Sequence, residues 1–347
     1  MIRLSLFLFY DHYLIKWSSI NRAYKQGDVL VKSMLFVLCL TMIACSHAPP
    51  KTYSLETQAY VAQHHDSPLW LKYAPKVIAQ GAQHDYNKIG TPRLIAEREG
   101  EATAIVDTHE AAYFVETRQF ETRNGVYTNL VYRMHFPAVP LKHLTAGGNV
   151  GLLIVVTLDA LQRPVLYTTV HTCGCYIAFF PTNYMPVSAL PKHWPEHEQR
   201  VFGRRLPTLV DMGAFDAMRL PYFVLKAGSH RVVDVKVIDQ SAVEQIPHIP
   251  VTLKPMDTLR RLPFESRQLS FFYERGWRKH YVRDSVKPWE LLLMSWWVMD
   301  LWVGSDKDYG YTDEDSGVFY TALAPWRRRA SDMRDFPKFL SFWGWGL

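Results

Sequence analysis

The dipeptide Asn124-Gly125 lies between two long alternating runs, Ala111–Thr122 and Val126–Phe136. Asn-Gly flanked by alternating apolar residues is the strongest short-range hairpin signal. A two-residue turn at these positions predicts pairs whose numbers sum to 249, so that Glu116 faces Arg133 and Phe114 faces His135. An opposite-charge pair across the strands supports that register. Val126, Leu130, Tyr132, Met134 and Phe136 then share one face, and Asn129, Arg133 and His135 the other.

Further strands follow. Val150–Leu158 (VGLLIVVTL) is a continuous apolar run, the pattern of a strand buried on both faces. Asp159–Arg163 is a turn, and Pro164–Phe180 reads as the returning strand. His230–Asp239 alternates Val233, Val235 and Val237 with Asp234 and Lys236. Two helices frame these strands in the reading: Ser54–Gln63, with Ser54 as N-cap, and Lys287–Val303, with Pro288 at its first position and Gly304 after its end. The second is apolar almost all round and reads as a core helix wedged against the sheet, because Glu290 and Asp300 are costly in lipid. The expected fold class is α+β, a mostly antiparallel sheet or sandwich with flanking helices, in a single domain over 54–347.

The address is written near the N-terminus. Ten of the eleven residues from Met34 to Ala44 are apolar, Lys32 precedes them, and Cys45 follows, ahead of Ser46, His47, Ala48, Pro49 and Pro50. An apolar stretch of this length is a signal-peptide core and is too short to span a bilayer. The segment resembles the lipobox of bacterial lipoprotein precursors. The resemblance implies that Cys45 is alkylated with diacylglycerol, that the chain is cut before it, and that the new amine is acylated. Several acyl chains make such anchoring stable. Ser46 after the cysteine resembles lipoproteins sent to the outer membrane, which implies its periplasmic face where the host has one. Residues 1–44 are expected to be an upstream stretch plus signal peptide, with translation starting near Val31, and residues 45–53 a lipidated tether.

The net charge of +6 is halved without residues 1–44, which carry five basic and two acidic side chains. No long basic run occurs, so nucleic acid is not an expected partner. The expected partners are the membrane, through the anchor, and another envelope protein.

Four weaker patterns carry candidate chemistry. In His171-Thr-Cys173-Gly-Cys175 an extended strand points all three side chains to one face. One imidazole and two thiolates suit zinc or copper. The same cysteines also read as packed thiols, or as a disulfide if Gly174 permits a bend. His193-Trp-Pro-Glu196-His197 resembles the inverzincin metallopeptidases, which implies metal roles for His193 and His197 and a base role for Glu196. Pro195 departs from that motif and fits only a helix's first turn. The acidic stretch Asp306–Asp315 reads as a solvated loop, and Trp326-Arg-Arg-Arg329, with Arg334 and Lys338, as a solvated helical face.

No P-loop, GxGxxG, GxSxG or HExxH occurs. The expected role is therefore a non-enzymatic, lipid-anchored envelope protein that binds or scaffolds a partner. The rival is a metal-dependent enzyme or redox protein using His171, Cys173 and Cys175, with His135 or His193 completing the shell.

Overall fold

A computed structural model describes residues 56–62, 68–97, 101–214, 220–237, 246–310 and 317–347. Cys45, the tether, His64–Ser67 and Asp313–Asp315 lie outside these residues.

The strands run β1 (Thr57–Ala62), β2 (Lys76–Gln80), β3 (Thr91–Ala96), β4 (Ala102–Asp107), β5 (Ala111–Thr122), β6 (Gly125–Val139), β7 (Gly147–Leu158) and β8 (Pro164–His171). They continue as β9 (Ala178–Pro181), β10 (Glu198–Val201), β11 (Arg204–Pro207), β12 (Tyr222–Leu225), β13 (Val232–Lys236), β14 (His248–Pro255), β15 (Leu262–Phe264) and β16 (Arg267–Leu269). Ten of them form one mixed sheet in the order β13-β12-β2-β1-β14-β5-β6-β7-β8-β9. Six of its nine pairings are antiparallel; the parallel ones are β12 with β2, β1 with β14, and β14 with β5. The class is α+β with a sheet-dominated core, as expected.

The sheet coils upon itself. The Phe223 ring of β12 lies 5.5 Å from Tyr167 of β8 and 6.3 Å from Phe180 of β9, so strands near opposite ends of the ladder meet across one core. That core takes Leu130, Tyr132, Met134 and Phe136 from β6 and Leu152, Ile154 and Val156 from β7. The other face of the same strands packs Val131, Leu153 and Val155 against Phe271, Tyr309, Phe336 and Phe339 from the C-terminal ninety residues. This double burial is what the unbroken run Val150–Leu158 anticipates.

Four expectations need correction here. The first hairpin pairs Phe114 with Arg133 and Glu116 with Val131, two residues from the expected register. The turn is Arg123-Asn124, and Gly125 opens the returning strand at φ +144° while Asn124 keeps a negative φ. A two-residue slip preserves which face each side chain occupies, so the face assignment holds although the partners change. Glu116 instead bonds Arg118 at 2.8 Å along its own strand.

The expected helix at Ser54–Gln63 is strand β1 over its described part. β1 lies between β2 and β14, and Ala59, Tyr60 and Ala62 are buried. Pairing on both sides overrides the local helix propensity of LETQA.

The expected strand Pro164–Phe180 is broken at Thr172–Ile177. The Trp-rich helix spans Pro288–Val298 and is not a core helix: its buried side chains are Glu290 and Val298, while Leu292, Leu293 and Trp296 are exposed.

Candidate functional site

The break between β8 and β9 is a tight reversal. The Gly174 amide donates to the His171 carbonyl at 2.7 Å, and the His171 amide to the Cys175 carbonyl at 2.9 Å. Gly174 adopts φ +89°, and Tyr176 φ +53°. Cys173 and Cys175 are joined in a disulfide across this bend, with Cα atoms 5.6 Å apart. Convergence of His171, Cys173 and Cys175 therefore comes from the turn and not from strand pleating, yet their ligand atoms lie within 4.8 Å of one another. That cluster could hold a metal, although its two sulfurs are bonded to each other. Neither expected fourth ligand joins it. His135 is buried and accepts a hydrogen bond from Arg133 Nε at 2.8 Å. His193, Glu196 and His197 are exposed in irregular chain without a helix, so the metallopeptidase resemblance lacks the helical face it requires.

The disulfide floors a cleft of 270 Å³, walled by Leu144, Tyr176, Phe202, Met294 and Leu323. Cys173 is buried and Cys175 half-buried. A larger groove of 620 Å³ runs beside β14 past Trp70 and Ile249. Of its ionisable members, Glu110 is paired with Lys254 at 2.9 Å and His109 with Asp107 at 2.6 Å.

Beneath the cleft lie the charges of the acidic stretch that begins at Asp306, expected in a solvated loop. Asp306, Lys307 and Asp308 are all buried. Asp306 accepts from the Gly151 amide at 3.1 Å and from the Thr172 hydroxyl, and pairs with the buried Lys287 at 3.3 Å. Lys307 donates from Nζ to the Cys173 carbonyl, and its amide donates to the Thr172 carbonyl at 2.8 Å. Burial lowers the Lys307 ammonium to about 7, against the pull of Asp300 and Asp306. Glu290, reaching in from the Trp-rich helix, has its pKa raised by burial, and its Oε2 has no hydrogen-bond partner among the described residues. Asp308 bonds Arg260 and accepts from the Gly310 amide at 2.7 Å. The acidic segment is buried because each charge has a partner, which is the condition for burying charge at all.

The arginine cluster is also no helical face. Pro325–Arg327 is a single 3-10 turn, Arg328 donates to the Val298 carbonyl, and the buried Arg334 donates to the Asp308 carbonyl at 2.7 Å.

Three buried histidines set the acid response. Burial lowers the pKa of His171, with Lys287 adding, and of His135, with Arg133 adding, while His230 falls to about 3. Each folded value lies below the unfolded value of about 6.5. As pH falls below about 6.5 the unfolded chain takes up protons that the native chain refuses, so stability is lost on acidification. Unfolding free energies from denaturant titrations should fall below about pH 6.5 by up to about 1.4 kcal/mol per pH unit per histidine. Lys307 acts in the same direction at higher pH, stability rising from about 7 toward the free-lysine value. His230→Phe should remove about a third of the histidine slope, since the His230 ring already stacks on Phe136 at 4.1 Å.

A scan against protein-family models and searches of curated proteins and of solved structures find no match to this chain.

Proposed function

We propose that the protein is a lipid-anchored protein of the cell envelope that binds its ligand, without transforming it, in the cleft over Cys173–Cys175. The observation that supports this best is that a disulfide floors a cleft with mostly apolar walls. Disulfides form and persist in oxidising compartments such as the envelope. Apolar walls with a few placed polar groups are the composition of a binding pocket. A small ligand with an apolar body and a hydrogen-bond donor fits, the donor meeting the unpartnered Oε2 of Glu290 in the cleft lining. Cys45 at the end of the apolar segment agrees with the same compartment.

A second reading, thiol–disulfide exchange or soft-metal binding, is favoured by the meeting of His171 with both sulfurs. Opening of the disulfide by a dithiol reductant, itself oxidised to a disulfide, would leave two thiols beside a neutral imidazole, donors suited to zinc or copper.

The test uses the full chain. Cys45→Ser should stay unprocessed and fail to incorporate a palmitate analogue; a mutant that still labels and matures overturns the address. After mild reduction, Cys173 and Cys175 should alkylate slowly until the chain unfolds. Fast native alkylation that zinc suppresses moves the site to the second reading.

A further inference from the structure

The Trp-rich helix is apolar on both faces, and only one of them is covered. Glu290, Met294 and Val298, four residues apart, face inward over the cleft and core. Trp289, Leu292, Leu293 and Trp296 form the opposite i, i+3, i+4, i+7 stripe, and Leu292 is 67% and Trp296 75% exposed. Met299 and Leu301 extend this stripe past the helix end, and the exposed Leu141 and Leu144 extend it sideways, because Trp289 Nε1 donates to the Leu141 carbonyl at 2.8 Å. An apolar surface of this extent on a folded protein marks an interaction site.

The charges around it identify the partner. No carboxylate faces outward from the helix: Glu290 points in, and Asp300 accepts from the Tyr320 hydroxyl. Three cations lie at the borders of the patch. Arg278 lies 4.4 Å over the Trp302 ring next to Leu301, Arg328 donates to the Val298 carbonyl at the helix end, and Lys142 lies between Leu141 and Leu144 in sequence. Tryptophan and leucine rimmed by lysine and arginine is the composition of an element lying in the headgroup region of an anionic membrane. Its 11 residues extend about 16 Å, half of the roughly 30 Å needed to cross.

The chain's entry point lies at the same end. The Glu56 carbonyl accepts from the Ala82 amide at 2.9 Å, next to Gly81, which abuts Ala227; Gly228 in turn abuts His143, between Lys142 and Leu144. Cys45 and Glu56 are eleven links apart, at most about 40 Å of extended chain, so an anchor on Cys45 tethers the start of β1 within that distance of the lipid.

We infer that the outward stripe of the Trp-rich helix docks into the headgroup region of an anionic lipid surface, as a second attachment beside the Cys45 anchor. The docking rests on the anchor reading for its orientation, and on the exposed stripe and its cationic rim for the contact itself.

The experiment uses the full-length protein in vesicles of phosphatidylcholine and phosphatidylglycerol whose acyl chains carry bromine near the headgroups. Bromine should quench part of the tryptophan fluorescence, and Trp296→Phe should reduce the quenched part. Leu292→Glu with Leu293→Glu should weaken docking by at least about tenfold and leave thermal unfolding unchanged, both positions being exposed. Vesicles of phosphatidylcholine alone should quench less, and added salt should lower quenching in the anionic vesicles. Vesicle-bound protein without quenching, or quenching unaltered by the two glutamates, overturns the inference, as does crosslinking of the stripe to another protein in place of quenching. Failure of the anchor reading shows separately, as a Cys45→Ser chain that still incorporates the palmitate analogue.

Discussion

Asp306→Ala should cost about 3–5 kcal/mol in equilibrium unfolding, more than an average core truncation, because it strands a buried cation. Asp306 is completely buried, and its carboxylate meets the Gly151 amide, the Thr172 hydroxyl and the ammonium of Lys287, itself 2% exposed. Removing the carboxylate leaves the buried Lys287 ammonium without its counter-charge. The pair as a whole is worth much less than that loss, since bringing both ions out of water offsets most of their attraction. Asp306→Leu combined with Lys287→Met should therefore recover a large share of the stability lost in either single variant. Denaturant unfolding of the four-member cycle checks this; purely additive losses would mean the two groups are not coupled.

Gly174→Ala should be the most damaging glycine substitution at the cleft. A methyl group there would sit 2.1 Å from the Tyr320 carbonyl oxygen, and φ +89° already disfavours any side chain. The obstruction is backbone, so no rotamer change relieves it. About 3 kcal/mol is expected from strain and overpacking together. Gly203→Ala is the matched comparison: φ is +74° but nothing lies within 4 Å, so only the backbone preference is lost, about 1 kcal/mol. Thermal unfolding of both variants measures the difference.

Strand periodicity made most of the sheet's centre readable. Ala111–Thr122 and Asp159–Arg163 fall where they were expected, and the double burial of Val150–Leu158 follows from its lack of polar alternation. The elements that escaped did so for identifiable reasons. β1 depends on two neighbours remote in sequence, β2 and β14, so no local window contains its cause. The hairpin slipped by two because Asn-Gly suits either the turn itself or a turn followed by glycine, and the alternating pattern is blind to an even shift. Composition made the Trp-rich helix look like core, because apolarity all round conceals which face is covered; Glu290, treated as a cost, is the residue that points in. Asp306, Lys307 and Asp308 look solvated because charge is ordinarily exposed; their burial is made tolerable by partners remote in sequence, Gly151, Thr172 and Lys287 for Asp306, the Cys173 carbonyl for Lys307 and Arg260 for Asp308. The convergence of His171, Cys173 and Cys175 was visible in their spacing, and the bend that joins the sulfurs was signalled by Gly174.

The place of β14 has a consequence for how the chain acquires its shape. β5 through β9 form a run of sequential antiparallel neighbours, able to pair as each strand is made. β1 and β2 pair with each other early, but they reach that run only through β14, whose residues 248–255 follow β1 by almost two hundred positions. Closure of so long a loop carries a large entropy cost and slows assembly. Until β14 is in place, β1 and β5 both present open edges with unpaired amides and carbonyls, the condition that invites pairing between molecules. A chain stopped short of residue 248 would hold two half-sheets, each with an open edge, where the finished protein has one continuous ladder.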